Sequence, residues 1–458
     1  MNGATLKYKN YLLTVLLVIL AFNFVDRLTL GLVLQEVKVD LSLSDSQLGF
    51  LSGIAYALFY SVMGIPLARW ADSGNRVTII ALAAAVWSVA VVMCGIAASF
   101  TQLLLIRIVI GVGEAGCMPP GHSLIADYFT RAERPRAAAI YSLGAPLSMV
   151  IGYFLAGWLN ELYGWRLTFI LLGLPGLGLA VLAACTLKEP RRAKLPRNAA
   201  PELGAASLGA APFIVARPAA VSFREVCVTL WKNRTFRHLL AGFSALSFFA
   251  DGILQWQPAF FVRSYGLKTG PLGTWFALIY GVGGLLGTYG GGVWAARHPH
   301  NERLHLKVAA LLYAGLGLIS PFVYLAPNPY EIFALLTVGA VGYYWTFGPC
   351  VAAIQTLVSE RMRATAFALL YLFVNLVGSG LGPLAIGTLS DLFQPWAGKE
   401  SLRYALMILS PGYFWVAWHI WRGSATVTAD LQAVQAAAVP YGDEASSGPG
   451  WCTEEASR

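Results

Sequence analysis

The strongest constraint on this chain is the recurrence of apolar runs, each about as long as a bilayer is thick. A helix needs ~20 apolar residues to cross the hydrocarbon core. Runs of that kind fall at 11–33, 46–68, 77–98, 102–123, 136–160 and 166–186, and again at 237–262, 272–296, 303–325, 330–356, 363–389 and 403–422. They predict an all-α membrane protein with twelve transmembrane helices in two six-helix bundles. Charge content agrees: only 12 % of residues are charged, against ~25 % in a soluble chain, so most of the outer surface must face lipid. The 47 glycines suit helices that approach closely. The first run is too long for a signal peptide, and no small-residue cleavage site follows it, so it reads as the first span.

The stretch between the two sets of six runs carries Pro190, Pro196, Pro201, Pro212 and Pro218 among Ala and Gly. It reads as a linker over 188–236, joining bundles at 1–187 and 237–423. Residues 424–458, rich in Ala, Gly, Glu and Ser, read as a disordered tail. Lys and Arg crowd the linker and the loops on its side of the membrane, from Lys7 and Lys9 to Arg361 and Arg363. The opposite loops hold only Lys38, Arg166, Arg263, Lys268, Lys399 and Arg403. By the positive-inside rule the linker and both termini are expected in the cytoplasm. The short loops suggest a bacterial inner membrane. The halves echo one another: Gly49 and Tyr56 match Gly273 and Tyr280 at one displacement, and Arg134-Pro-Arg136 matches Arg361-Met-Arg363.

Four charges interrupt apolar spans one and four: Asp26, Arg27, Arg107 and Glu114. Each would cost roughly 2.5–3.5 kcal/mol at a helix centre, so they are expected to face the interior and one another. Their formal charges cancel, as a buried network requires. Asp26 and Arg27 lie at the depth of Arg107, and Arg107 and Glu114 share one helix face. Asn23 lies one turn from Asp26 and Arg27. Glu114, nearest the midplane with no cation adjacent in sequence, reads as the proton carrier, with Asp26 beside it. Arg27 and Arg107 read as forks for an anionic headgroup. Asp251, a lone carboxylate in span seven, reads as a further solute contact. Trp256 and Tyr344, from aromatic-rich spans seven and ten, read as a wall for an apolar tail.

These residues resemble a known family. Arg107-Ile-Val-Ile-Gly111-Val-Gly113-Glu114-Ala115 resembles the fourth-span motif of the major facilitator superfamily, and its Glu-Ala extension resembles the Spinster branch. Phe24-Val25-Asp26-Arg27 and Ala126-Asp127-Tyr128-Phe129 are similar to that branch too, as is Asp72-Ser-Gly-Asn75-Arg76 after span two. Ser73 stands where a basic residue is usual, and Ala68 where Gly is usual. The resemblance covers nearly the whole membrane part, specific in the first half and generic in the second. It implies the major facilitator fold and alternating access, with spans one, four, seven and ten around a central cavity. It implies amphipathic lipid solutes such as lysophospholipids and sphingoid phosphates, often with proton coupling; bacterial members also handle amphipathic drugs. Asp72, with Arg76 and Arg136 across the same face, reads as a conformational gate, because a carboxylate there can meet the N-terminus of span eleven.

The expected function is secondary active transport of an amphipathic lipid-like or drug-like small molecule, coupled to protons, by a monomer surrounded by membrane lipids. A multidrug exporter and a small organic anion permease are the alternatives. No Gly-x-x-x-x-Gly-Lys-[Ser/Thr] loop is present, so ATP is not the expected direct energy source. No nucleophile–base pair or metal cluster suggests a membrane-embedded lipid enzyme. The six scattered Cys include no Cys-x-x-Cys, and no metal or cofactor is expected. The basic residues are spread over loops rather than gathered in one stripe, which argues against nucleic acid.

Overall fold

In a computed structural model the described residues are 3–130, 132–190, 223–299, 301–359 and 362–438. Among them the chain crosses the membrane twelve times. Spans one to four are Leu6–Asp40, Asp45–Ser73, Arg76–Cys94 and Phe100–Tyr128. Spans five and six lie within Arg134–Thr186, divided at Gly164, whose φ of 77° breaks the helix. Spans seven to ten are Arg234–Tyr265, Thr269–Ala296, Glu302–Leu325 and Pro329–Thr356. Span eleven is Arg363–Phe373, a π-helical turn Val374–Gly380, and Leu381–Ala397. Span twelve runs from Ser401 through a short break to Ala438. An even number of crossings puts both chain ends on one side, here called the terminal face.

Polar caps start the spans where the apolar runs begin. Ser44 and Gln47 form a reciprocal capping box at span two, and Asn75, Ser99, Asn233, Asn301 and Asn328 cap spans three, four, seven, nine and ten. Two spans break midway for one reason. A proline offers no N–H to the carbonyl four residues back, and its ring clashes with that carbonyl. Pro119 and Pro120 therefore interrupt span four just after Glu114, and Pro349 interrupts span ten at Thr346.

The tail differs from expectation. Residues 424–438 are helical, not disordered. Val427 is fully buried, and Asp430 accepts the backbone N–H of Thr235 at 2.7 Å, so this Ala-rich stretch caps the start of span seven. Within the expected linker, Phe223–Lys232 is a helix that buries Val226 and Leu230. Linker residues 191–222 and tail residues 439–458 lie outside the described residues.

The glycine and tyrosine repeat matches hold in three dimensions; Arg361, the counterpart of Arg134, lies outside the described residues. Gly49 lies against Pro383 of span eleven, and its counterpart Gly273 against Tyr153 of span five. Tyr56 donates to Glu114, and its counterpart Tyr280 to Gln257. The two halves thus meet along spans two and eleven and along spans five and eight. Gly53 packs so tightly on Gly380 that an added Cβ would collide with the Gly380 carbonyl. The extended packing stops at the π turns Val374–Gly380 and Ala277–Val282. At the level of the π turn Val374–Gly380, about midway along the spans, the halves enclose a central cavity.

Candidate functional site

The cavity measures about 260 Å³ and lies between the halves. Spans one, two, four and five supply Phe24, Arg27, Tyr56, Arg107 and Tyr153. Spans seven and eleven supply Asp251, Gln255, Asn375 and Ser379.

The first-half wall is an ionic cluster. The Nε of Arg27 donates to Glu114 Oε2 at 2.9 Å, and Nη2 reaches the same oxygen. Tyr56 donates to that oxygen too, at 2.6 Å. Arg107 Nη1 donates to Asp26 Oδ2 at 3.0 Å. Asp26 and Glu114 thus sit in one cluster, each with an oxygen on a guanidinium group. The sequence reading expects these four charges to face one another, with Asp26 and Arg27 at the depth of Arg107, and Arg107 does meet Asp26. That reading names no particular cation for Glu114, which has none adjacent in sequence; across the helices that cation is Arg27, on span one. The guanidinium of Arg27 also lies 4.7 Å from the Phe24 ring, 4.5 Å from Tyr56 and 5.1 Å from Tyr60, within cation–π range.

The cluster is not saturated. Asp26 Oδ1, Glu114 Oε1, Arg107 Nη2 and Asn23 Nδ2 are buried with no hydrogen-bond partner in the structure. Buried polar atoms are usually satisfied, and leaving one unpaired costs about 1–3 kcal/mol. These four atoms leave hydrogen-bonding capacity unused within the cluster. Two are carboxylate oxygens on neighbouring acids, and two are N–H donors.

Asp251 lines the opposite wall. Its Oδ2 accepts from Ser247 and, at 2.6 Å, from Ser379. Ser379 comes from the π turn of span eleven, and Asn375 lies one turn before it. Trp256 and Tyr344 do not line the cavity. Trp256 is fully buried and donates to the carbonyl of Pro383 at 2.8 Å, tying span seven to span eleven. Tyr344 packs over Gly284 and Gly287 of span eight. The ring-rich segments of the second half are its own core, with Phe261 stacked on Phe333 at 4.9 Å. The rings that line the cavity, Phe24, Tyr56 and Tyr153, come from the first half. Asn23 is buried behind the cavity wall.

The face opposite the termini is closed by polar contacts between the halves. Asp45, at the start of span two, takes both Nη groups of Arg263 at 2.7 Å, together with Lys38 and Ser390 at 2.7 Å. Asp391, near the end of span eleven, accepts the backbone N–H of Asp45 at 3.0 Å, that of Ser46 at 2.7 Å, and the Ser46 hydroxyl at 2.6 Å. Asn160 of span five donates to Thr269 of span eight at 3.0 Å. The residues read as a gate lie at the other face. Arg76 is fully buried inside the first half, bound to Glu189, to Asp127 at 2.7 Å and to Ser123. Asp72 and Arg136 are exposed. Sequence reasoning missed Asp45, Arg263, Asp391 and Ser379. Its available signal was the Ser44–Gln47 capping box, which marks a helix N-terminus ready for an anion.

The sequence model of the Major Facilitator Superfamily matches residues 16–422. An MFS-type efflux pump of Mycolicibacterium smegmatis is 29 % identical over 86 % of this chain and 87 % of its own length. Protein spinster homolog 1 of Xenopus tropicalis is 26 % identical over 89 % of this chain and 79 % of its own. A crystal structure of a bacterial homolog to the human lysosomal transporter Spinster, inward-facing and unoccupied, superposes with a TM-score of 0.77 at 28 % identity, covering 92 % of this chain and 98 % of that one. A paired halves architecture, an ionic cluster on spans one and four, and these likenesses agree: the chain is a multi-pass membrane protein that belongs to the Major Facilitator Superfamily, in its Spinster-like branch.

Proposed function

We propose that the protein is a proton-coupled secondary transporter that moves an amphipathic, lipid-like solute by alternating access. The observation that carries this reading is the unsaturated cluster on the cavity wall. Two ionised carboxylates in one buried cluster repel, and a proton taken up by Asp26 or Glu114 relieves that repulsion and uses an orphaned oxygen. That proton changes the charge of the cluster from zero to +1. It loosens the hold of Glu114 on Arg27, and Arg107 already has an unpartnered Nη2. Both guanidinium groups then have donors for an anionic headgroup. Proton uptake and headgroup binding favour each other, which is the linkage that coupling requires.

The cavity supports an amphiphile whose chain leaves the site. About 260 Å³ falls below the ~300–1,000 Å³ that encloses a whole drug-sized ligand, so it suits a headgroup. The closed state of one face and the open course of the halves below the π turns make the terminal face the side of entry in this state. With both termini and the linker in the cytoplasm of a bacterial cell, that side is the cytoplasmic one. The similarity to an efflux pump favours a second reading, export of an amphipathic drug, through the same cavity.

Reconstitution into liposomes tests the proposal. Labelled lysolipid should accumulate in the parent protein only under an imposed pH gradient. Glu114→Gln should abolish that accumulation while leaving exchange of solute for solute. Accumulation that survives in Glu114→Gln, or that ignores the gradient, removes proton coupling through this residue.

A further inference from the structure

The two walls of the cavity differ in how their charges are balanced. On the first-half wall every formal charge has an opposite partner: Arg27 with Glu114, and Arg107 with Asp26. Asp251 on the second-half wall has none among the described residues. Its hydrogen-bond partners in the structure are two hydroxyl groups, both on Oδ2. Its Oδ1 accepts no hydrogen bond among the described residues, on a side chain that lines the cavity. The charged group whose field reaches it is Arg27, across the cavity and already bound to Glu114. Beside it, Gln255 lines the same cavity with a buried, unpartnered Nε2.

A carboxylate this deep in a membrane protein is expensive unless a cation or a proton joins it. The protein has invested specific structure in keeping it oriented. Ser247 lies one turn before Asp251 on the same helix, and Ser379 reaches it from the widened turn of span eleven. Gly378 permits the approach, because a Cβ there would collide with Ser247. Two hydroxyls on one oxygen leave the other turned outward, which is the geometry of an acceptor awaiting a donor. The donor that neutralises the charge as well as filling the bond is an ammonium group.

We propose that Asp251 is the anchor for an ammonium group of the solute, so that the cavity reads a charge pair: an anionic group at Arg27 and Arg107, and a cation at Asp251 through its free Oδ1. This rests on the reading of the cavity as the solute site. It narrows the solute from any amphiphile with an anionic headgroup to one that carries an amine. The hydroxyl pair sets the direction of the carboxylate, and the residues of the first half set the distance to the anion.

The test is equilibrium binding to the purified full-length protein with two matched pairs of probes. The first pair is a lysophosphatidylethanolamine and its N-acetylated form, which keeps the phosphate and chain and loses the ammonium. The second is dodecylammonium and dodecanol, which have no phosphate. In the parent protein the ammonium member of each pair should bind about tenfold tighter or more, the effect of one charge-assisted hydrogen bond in a buried site. Asp251→Asn should remove the difference by weakening only the ammonium member. Asp251→Glu, which keeps the charge, should retain it and controls for folding. If the N-acetylated lysolipid binds the parent as tightly as its amine, and dodecanol as tightly as dodecylammonium, the ammonium site is overturned while the lipid reading stands. If only the dodecyl pair discriminates through Asp251 and neither lysolipid binds, the ammonium site stands and the lysolipid reading falls. Equal loss of both members in Asp251→Asn, with a discrimination unchanged in size, also overturns the proposal.

Discussion

Asp391→Asn should open the closed face. Asp391 sits near the end of span eleven and takes the two first N–H groups of span two and the Ser46 hydroxyl, at 3.0, 2.7 and 2.6 Å. These bonds join the two halves, and so exist only when that face is shut. An anion at a helix N-terminus contributes about 0.3–1 kcal/mol, up to ~2 when partly buried. Asparagine keeps the shape and one acceptor, but loses the charge and turns an amide N–H towards a donor. The closed state should therefore lose about 1–2 kcal/mol, which moves its population ratio by roughly 5–30-fold. Spin labels at Val39 and Lys399, both exposed at this face on opposite halves, report the change as a longer-distance population in pulsed dipolar measurements. The Asp45 site, with Arg263, Lys38 and Ser390, remains in the variant, so closure is weakened and not abolished. A distance distribution identical to the parent's would show that the carboxylate charge at Asp391 does not hold the face shut.

The reciprocal change at the other face should act in the opposite sense. Asp72 lies near the terminal end of span two, and span eleven starts at Arg363 on the same face, as Asp391 lies near the other end of span eleven and span two starts at Asp45. Asp72→Asn should therefore disfavour closure of the terminal face, seen as longer distances between labels at the terminal ends of spans two and eleven; unchanged distances in every solute condition would exclude a gate role. Arg27→Lys and Arg107→Lys keep the charge and lose the planar fork, and each should weaken an anionic lysolipid by about tenfold in equilibrium binding. At the terminal face, Lys9 holds the Glu133 carboxyl down to about 2, aided by the N–H and hydroxyl of Thr130. A depressed carboxyl contributes its pairing above the ordinary pKa and loses it as pH falls through the depressed value, so this tie is constant between about pH 5 and 8. Glu133→Gln should leave the shape of the transport pH profile unchanged, and a displaced midpoint would place a coupling proton in this loop.

Twelve apolar runs, their separation into two sixes and the pairing of buried charges on spans one and four were legible along the chain. Hydropathy works at that level because a bilayer imposes its thickness on every helix, and because a charge placed in it must find a partner. The glycine and tyrosine matches between the halves were legible for the same reason: both halves solve one packing problem. The end of span twelve was not, because the Ala-rich stretch to Ala438 has little periodicity and earns its place by capping span seven through Asp430. Nor was the choice of Arg27 as the partner of Glu114. Glu114 looks solitary in the sequence, and only the crossing of spans one and four brings Arg27 onto it. Trp256 and Tyr344 looked like cavity walls because aromatic composition does not say which way a ring points; packing turned them into the interior of the second half. The shut face is the clearest case. Asp45, Arg263 and Asp391 lie far apart in sequence, and each alone resembles an ordinary loop charge. They become a latch because two helices that start on opposite faces run past each other, so that the end of one lies on the beginning of the other, and that juxtaposition belongs to the tertiary structure alone.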